Sequence, residues 1–383
     1  MLIVVDYIRK HGLQALAENF GVLIKRHSQF PQLVMLKYHQ IDSPLGNPVV
    51  QQCRGLILDE SKDWAVVSFP YTKFFNHGEG HAADIDWSSA VVYEKLDGSL
   101  MTLYFNPYSE AWEVASSGDP EASGQIMSLV DTRFCDLFWK TWSSMGYRLP
   151  NKAASQFCFM FELMTPFNRI VVPQMESKIV LHGVRLLDST SGWPEMPPED
   201  AAEQHGWLCV RSFKLSTIED IIKSAQSIDP MEQEGYVIRD ADFNRLKVKS
   251  PQYVAIHHVK DSMSVRRMIE IVRTNEGSEF LTYFPELRGL YEQVRERFDV
   301  LFSKLEHAWE THRHIADQKE FALAIKGTPC SGILFGLRNG KCDSIRSGLI
   351  ATNIRNLERE LEADKIDVSG LNLYNGVEEA QAE

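Results

Sequence analysis

Hydrophobic and polar positions divide the chain into two textures. As far as Tyr253 the apolar residues come in short runs: "QLVMLKYHQI", "RGLILDE", "AVVSFP", "AVVYEKL", "SLMTLYF", "FCFMFELM", "KIVLHGVRLLD", "EGYVIRD" and "RLKVKS". Gly, Pro, Asn and Asp separate them, a pattern that predicts strands joined by turns. One segment departs from it. In "MSLVDTRFCDLFWKTWSSMGY", Leu129, Phe134, Leu137, Phe138 and Trp142 recur near helical spacing, which predicts a helix. The first part is therefore α+β and rich in sheet.

Beyond Tyr253 the period lengthens to that of a helix. "SMSVRRMIEIVR" reads as one helix. "PELRGLYEQVRERFDVLFSKLEHAWETHRHIAD" reads as a long one, with Pro285 in its first turn. Leu287, Leu290, Tyr291, Val294, Phe298, Leu301, Phe302, Leu305, Ala308 and Trp309 share one of its faces. "IRSGLIATNIRNLERELEADK" continues the helical pattern, and the carboxylate-rich end from Glu358 is expected to fray. With 383 residues, two domains are expected, 1–253 and an all-α 254–383.

Composition adds exclusions. A net charge of −12 argues against coating nucleic acid by bulk electrostatics, though a locally basic cleft remains compatible with it. No apolar run approaches the roughly 18 residues a membrane helix needs. Asp6 interrupts the apolar start, and no basic segment precedes it as in a signal peptide. The six cysteines form no CxxC pair, which suits reduced thiols in a cytoplasmic protein.

Candidate chemistry starts at Lys95 in "AVVYEKLDGSLMTLYF". Asp97-Gly98 predicts a two-strand hairpin, on which Lys95 is either a solvated side chain or a nucleophile. An amine attacks only when neutral, so a nucleophilic lysine needs desolvation or neighbouring cations. "RLKVKS" places Lys247 and Lys249 on one face of a strand, with Leu246 and Val248 on the other. Two such lysines in a cleft bind polyphosphate and depress the pKa of a nearby amine; on an exposed strand they are merely solvated. Glu234 precedes the strand of "EGYVIRD", a natural metal or metal-water ligand. Glu162 interrupts the apolar "FCFMFELM", and such a carboxylate needs a ribose hydroxyl, a cation or a metal, or forms a strand-end salt bridge. Arg54 stands before Gly55 and a strand, and Lys73 lies among Phe74 and Phe75, which are more often core than stacking platforms. His77 and His81 flank a flexible glycine turn, a poor metal pair. "GLRNGKC" fails the spacing of a phosphate loop, and His257, His258, His307, His312 and His314 read as surface or packing residues.

Taken in order, these motifs resemble the covalent nucleotidyltransferase superfamily, and within it the phage-type RNA ligase 1 family. "EKLDGSL" is similar to motif I, "FELMTPFNRIV" to motif IIIa, "EGYVIRD" to motif IV and "RLKVKS" to motif V. "QCRGLILDE" and "KFFNHGE" narrow the likeness to that family, and the match runs from about Tyr38 to Lys249. The resemblance implies an adenylyltransferase domain of antiparallel sheets followed by a helical domain. It implies ATP and Mg2+ or Mn2+ as cofactors, and RNA bearing 5′-phosphate and 3′-hydroxyl ends, such as a broken tRNA loop, as substrate. Lys95 would form lysyl-AMP. Arg54, Lys73, Lys247 and Lys249 would hold phosphates, Glu162 the ribose and Glu234 the metal. Tyr38, Phe75 and Gly98 would complete the nucleotide site. The chain departs from the family at "WEVASSGDP", where Ser116, Ser117 and Gly118 stand in place of a lysine-containing turn. Lys260, Arg266, Arg267 and Arg273 are candidate RNA contacts, or else a solvated helix face. A DNA ligase or mRNA guanylyltransferase would follow motif V with a β-barrel rather than helices. An idle binding module would be expected to lack Lys95 or a motif V lysine.

Overall fold

The computed structural model describes residues 2–126, 129, 131–168, 170–258 and 264–368. It divides into two compact units, Met1–Tyr253 and Val254–Glu383.

Among the described residues, unit one holds three sheets. The first comprises β1 (Leu23–Arg26), β2 (Leu33–Lys37), β3 (Arg54–Asp59) and β4 (Ala65–Ser68), antiparallel and in that order. Alternate residues of β2 and β3 face opposite ways. Val34, Leu36, Leu56 and Leu58 pack against Val4, Val5 and Ile8 of the helix Ile3–His11 and Val49 of the helix Pro48–Gln52. Leu33, Met35 and Ile57 pack with Tyr104, Cys158 and Met160. Burial on both faces makes these strands read as continuous apolar runs rather than as alternation.

The third sheet, nearest the functional residues, uses β5 (Phe75–Asn76), β6 (Val91–Lys95), β12 (Ser212–Phe213), β13 (Gly235–Arg239) and β14 (Arg245–Lys249), ordered β12-β6-β13-β14-β5. β5 runs parallel to β14, and the other neighbours are antiparallel. The second sheet is built from β7 (Ser99–Asn106), β8 (Ala111–Ser116), β9 (Phe157–Met164), β10 (Lys178–Leu186) and β11 (Glu195–Met196), ordered β11-β10-β9-β7-β8. Phe159, Phe161 and Leu163 of β9 pack toward Leu137, Phe138 and Trp142 of the helix Phe134–Ser144.

The hairpin expected at Asp97-Gly98 is not there. β6 belongs to the third sheet and β7 to the second, and the two strands do not pair. Asp97 is the reason. Its carboxylate is buried and accepts the N–H of Val171 (2.9 Å) and Val172 (2.6 Å) and the hydroxyl of Tyr253 (2.8 Å). Those contacts turn the chain from one sheet into the other, overriding the local preference of Asp-Gly for a tight turn.

Helix ends also differ from expectation. The Phe134–Ser144 helix begins after Leu129, where Asp136 accepts the Arg133 N–H at 3.2 Å. In unit two, Pro285–Leu287 form a 3-10 turn and the helix Arg288–His312 follows. It stops before Asp317, which caps a separate helix Gln318–Ala324. The last predicted helix is two, Ile345–Ala351 and Ile354–Glu360, the second started by Asn353. Leu290, Val294, Phe298, Leu301 and Leu305 are buried, as the spacing predicts. Most of the acidic tail expected to fray lies outside the described residues.

Sheets two and three are bridged by a buried triad. Glu195 accepts from Arg185 at 2.5 Å and pairs with Arg245 at 2.6 Å, and Arg245 lies 4.3 Å over the Tyr71 ring. Glu195→Gln strands two buried guanidiniums, so it should cost about 3–5 kcal/mol. Urea denaturation followed by aromatic fluorescence checks this, and an unshifted midpoint contradicts it.

Candidate active site

β6, β13 and β14 are in register, and register partners share a face. One row across the three strands is Lys95–Gly235–Lys249, the next Tyr93–Val237–Lys247, and the third Val91–Arg239–Arg245. The alternate residues Val92, Tyr236, Ile238, Leu246 and Val248 form the core beneath, against Ile221 and Ala225. Strand periodicity thus delivers a cationic face above an apolar one.

This face forms one wall of a cavity of about 290 Å³, at the lower end of the size of small-molecule sites. Arg54, Lys95, Gly98, Glu162, Lys247 and Lys249 all line it, so the cavity gathers most of the residues singled out in the sequence. Arg239, Arg245, Tyr71 and His182 line it too and were missed. The parity that picked Lys247 and Lys249 could have found Arg245.

Two glycines make the convergence possible. Gly235 has φ +153°, and a Cβ there would run into the Val248 carbonyl and lie 2.7 Å from Lys249 Cα. With no side chain between them, Lys95 and Lys249 reach the same carboxylate, that of Glu234, at 2.6 and 3.3 Å. At Gly98 a Cβ would lie 2.5 Å from the Leu163 carbonyl and 3.0 Å from Glu162 Cγ. Its small size lets β9 close on the corner after Lys95.

Glu234 is buried, which by itself raises its pKa. The charges of Lys95 and Lys249, with their hydrogen bonds, outweigh burial and hold it below the ordinary value. Lys95 therefore does not face cations alone. Its nearest charged partner is a carboxylate that it shares with Lys249.

Tyr38, Lys73 and Phe75 do not line this cavity. Lys73 and Phe75 border a smaller adjoining pocket with Gln51 and His81. The Lys73 ammonium lies 4.9 Å over the Phe75 ring and 5.3 Å over that of Tyr38. Phe75 is buried and pairs with Leu246, so it packs and also seats Lys73. Burial raises the Tyr38 pKa, yet Arg54, Lys37 and Lys73 together bring it below the ordinary value. Phe74 and Arg245 border both pockets, and Arg54, in the larger one, has its Nη1 buried without a hydrogen-bond partner. Lys37, also missed, crosses the Ser117-Gly118 turn, its Cγ 4.0 Å from where a Gly118 Cβ would stand. Burial lowers its pKa, and Arg54 and Lys73 add to that against the opposing effect of Tyr38.

A family model for RNA ligase matches residues 52–253. The chain belongs to the RNA ligase family. The match includes Arg54, Lys95, Glu162, Glu234, Lys247 and Lys249, whereas Lys37 and Tyr38 lie before it. The ligase is 25% identical over 376 residues to the RNA ligase of Rhodothermus phage RM378, covering 82% of each chain. It is 26% identical over 330 residues to a putative bifunctional polynucleotide kinase/RNA ligase of Autographa californica nuclear polyhedrosis virus. There it covers 78% of its own length but 44% of that longer relative. An archaeal ATP-dependent RNA ligase is a structural neighbour, with TM-score 0.45, 15% identity, and 70% and 68% of the two chains covered.

No helix among the described residues of the ligase is long and apolar enough to cross a membrane. Of the helical-unit cations, Arg266 pairs with Glu358 at 2.8 Å, and Arg273 pairs with Glu270 at 2.6 Å and donates to the Thr352 carbonyl at 2.9 Å. Intramolecular bracing accounts for both. Lys260 lies outside the described residues.

Two outcomes are expected. Because the Glu234 pKa is depressed on folding, its contribution to stability is present above the ordinary carboxyl value of 4.5 and is lost as pH falls through the folded value. The stability gap between the wild type and Glu234→Gln should accordingly be widest near neutrality and narrow in acid, as read by denaturation across pH. Asp97→Asn removes an acceptor from buried donors and should cost about 1–3 kcal/mol by urea denaturation, against less for Tyr253→Phe.

Proposed function

We propose that this RNA ligase seals 5′-phosphate and 3′-hydroxyl ends through a covalent adenylate on Lys95, with ATP as the nucleotide. The observation that carries the reading is the convergence of Lys95 and Lys249 across Gly235 at the wall of a cavity also lined by Lys247, Arg54 and Glu162.

In the first step Lys95 releases its ammonium proton to solvent, the neutral Nζ bonds to the α-phosphorus of ATP, and pyrophosphate leaves with its electron pair. In the second, a 5′-phosphate oxygen of RNA displaces the lysine and takes the adenylate. In the third, the RNA 3′-hydroxyl attacks that activated phosphate, the phosphodiester forms and AMP departs. Arg54, Lys247 and Lys249 bind phosphate, Lys73 supports it from the adjoining pocket beside Tyr38 and Phe75, and Glu162 receives the ribose. Most of the rate then comes from positioning and cationic stabilisation.

Glu234 offers hard oxygen donors, which fit Mg2+ or Mn2+ shared with substrate phosphates. When bound, the ion supplies charge neutralisation and orients the leaving group. Before substrate arrives, Glu234 holds the Lys95 ammonium in place, and incoming phosphates compete with that carboxylate for Lys249.

A broken tRNA loop suits the single-stranded ends this chemistry joins, and the free thiols suit a cytoplasmic setting. A guanylyltransferase reading predicts labelling with GTP instead.

Incubation with α-labelled ATP and magnesium should label the protein, with no label from GTP and none in Lys95→Ala. Lys247→Ala and Lys249→Ala should slow labelling about 10²–10³-fold. Absence of label with every nucleotide contradicts the adenylate. Single-stranded RNA, but not nicked DNA, should then discharge the labelled protein.

A further inference from the structure

His182 lines the same cavity as Glu162, and its hydrogen bonds fix where its proton sits. The pairing of β10 with β9 steps from Leu181–Phe161 to Gly183–Met160, so His182 is the extra residue of a bulge. Its carbonyl, released from that ladder, accepts the hydroxyl of Tyr71 at 2.8 Å. The same Tyr71 oxygen lies 2.9 Å from His182 Nδ1. A phenol has one proton, and the carbonyl can only accept, so the Nδ1 contact is made by an N–H donating to the phenol oxygen. Burial of Tyr71 pushes its pKa well up, so the phenol keeps that proton. The two rings stack 5.6 Å apart at 23°, which holds the imidazole plane.

With Nδ1 committed to the phenol, Nε2 is the ring nitrogen left for a ligand. Nε2 is buried without a hydrogen-bond partner, and its nearest charged neighbour is Glu162 Oε2 at 3.4 Å. An unpartnered ring nitrogen and a carboxylate oxygen thus stand side by side. Such a pair is left unsatisfied by the protein and is complementary to a ligand with two adjacent donors.

We propose that His182 Nε2 and the Glu162 carboxylate together bind the two ribose hydroxyls of the nucleotide, one hydroxyl to each, with Tyr71 as the positioning residue that sets the tautomer. The inference rests on the nucleotide reading of this cavity and adds to it a sugar-selecting residue outside the motifs.

Calorimetric binding to a Lys95→Ala chain tests it apart from the covalent step. The ligands are ATP, 2′-deoxy-ATP, 3′-deoxy-ATP and the triphosphate of purine riboside, which lacks the 6-amino group. With His182 present, loss of one particular sugar hydroxyl should weaken binding about five- to tenfold. In His182→Leu that penalty should vanish, while removal of the 6-amino group weakens both chains alike. Tyr71→Phe, which frees the tautomer, should reduce the penalty in part.

Equal weakening of all four ligands by His182→Leu would mean that His182 only braces Glu162, and it overturns the proposal. So does a His182 effect that follows the 6-amino group. Circular dichroism of each variant separates misfolding from lost contacts, and His182→Gln, which keeps an acceptor, should retain part of the discrimination. If ATP binds with His182-dependent sugar discrimination but the wild type takes no label, the sugar site stands and the lysyl-adenylate reading fails. If no nucleotide binds to any folded chain, both fail.

Discussion

A single carboxylate held between two ammonium groups organises the cavity. Glu234 touches Lys95 on one side and Lys249 on the other, and it does so because Gly235, on the strand between theirs, puts no side chain in the way. Without that shared counter-charge, two half-buried lysines on the strands either side of β13 would repel each other at short range. The arrangement stores both cations next to each other in the absence of substrate. A phosphate entering the cavity meets charges already in position rather than ones that must be gathered at a cost in side-chain entropy.

How much of this the sequence carries depends on the range of the forces involved. Strand parity is local, so the common face of Lys247 and Lys249, and the apolar face of Leu246 and Val248, could be read directly. The long helix Arg288–His312 was legible for the same reason. Asp97 was not. Its dipeptide with Gly98 favours a hairpin, and only its contacts with Val171, Val172 and Tyr253, far along the chain, turn it into a passage between sheets. Glu162 announced itself as a polar residue in an apolar strand, yet its neighbour His182 comes from a bulge that no periodicity signals. Lys37 and Tyr38 were similarly hidden in part. Adjacent residues at a strand end reach the same cluster of cations only because Arg54 and Lys73 are brought there by other segments.

The family match and the geometry cover the same part of the chain in different ways. The matched residues supply the strands and the charged face. Several supports of that face, including the Tyr71–His182 contact and the Glu195 triad, are buried side-chain interactions that set angles rather than chemistry. At the serine-containing turn Ser116–Gly118, the Lys37 Cγ lies 4.0 Å from where a Gly118 Cβ would stand.

The switch between sheets at Asp97 also limits how the cavity can move. Lys95 ends one sheet and Ser99 begins the other, with only Leu96, Asp97 and Gly98 between them. Four Cα-to-Cα steps, fully extended, span at most about 14 Å. The backbone is therefore a tether of fixed length across this end of the slot. However the two sheets breathe, the amine of Lys95 and the carboxylate of Glu162 travel on opposite banks of a gap that cannot open beyond the tether.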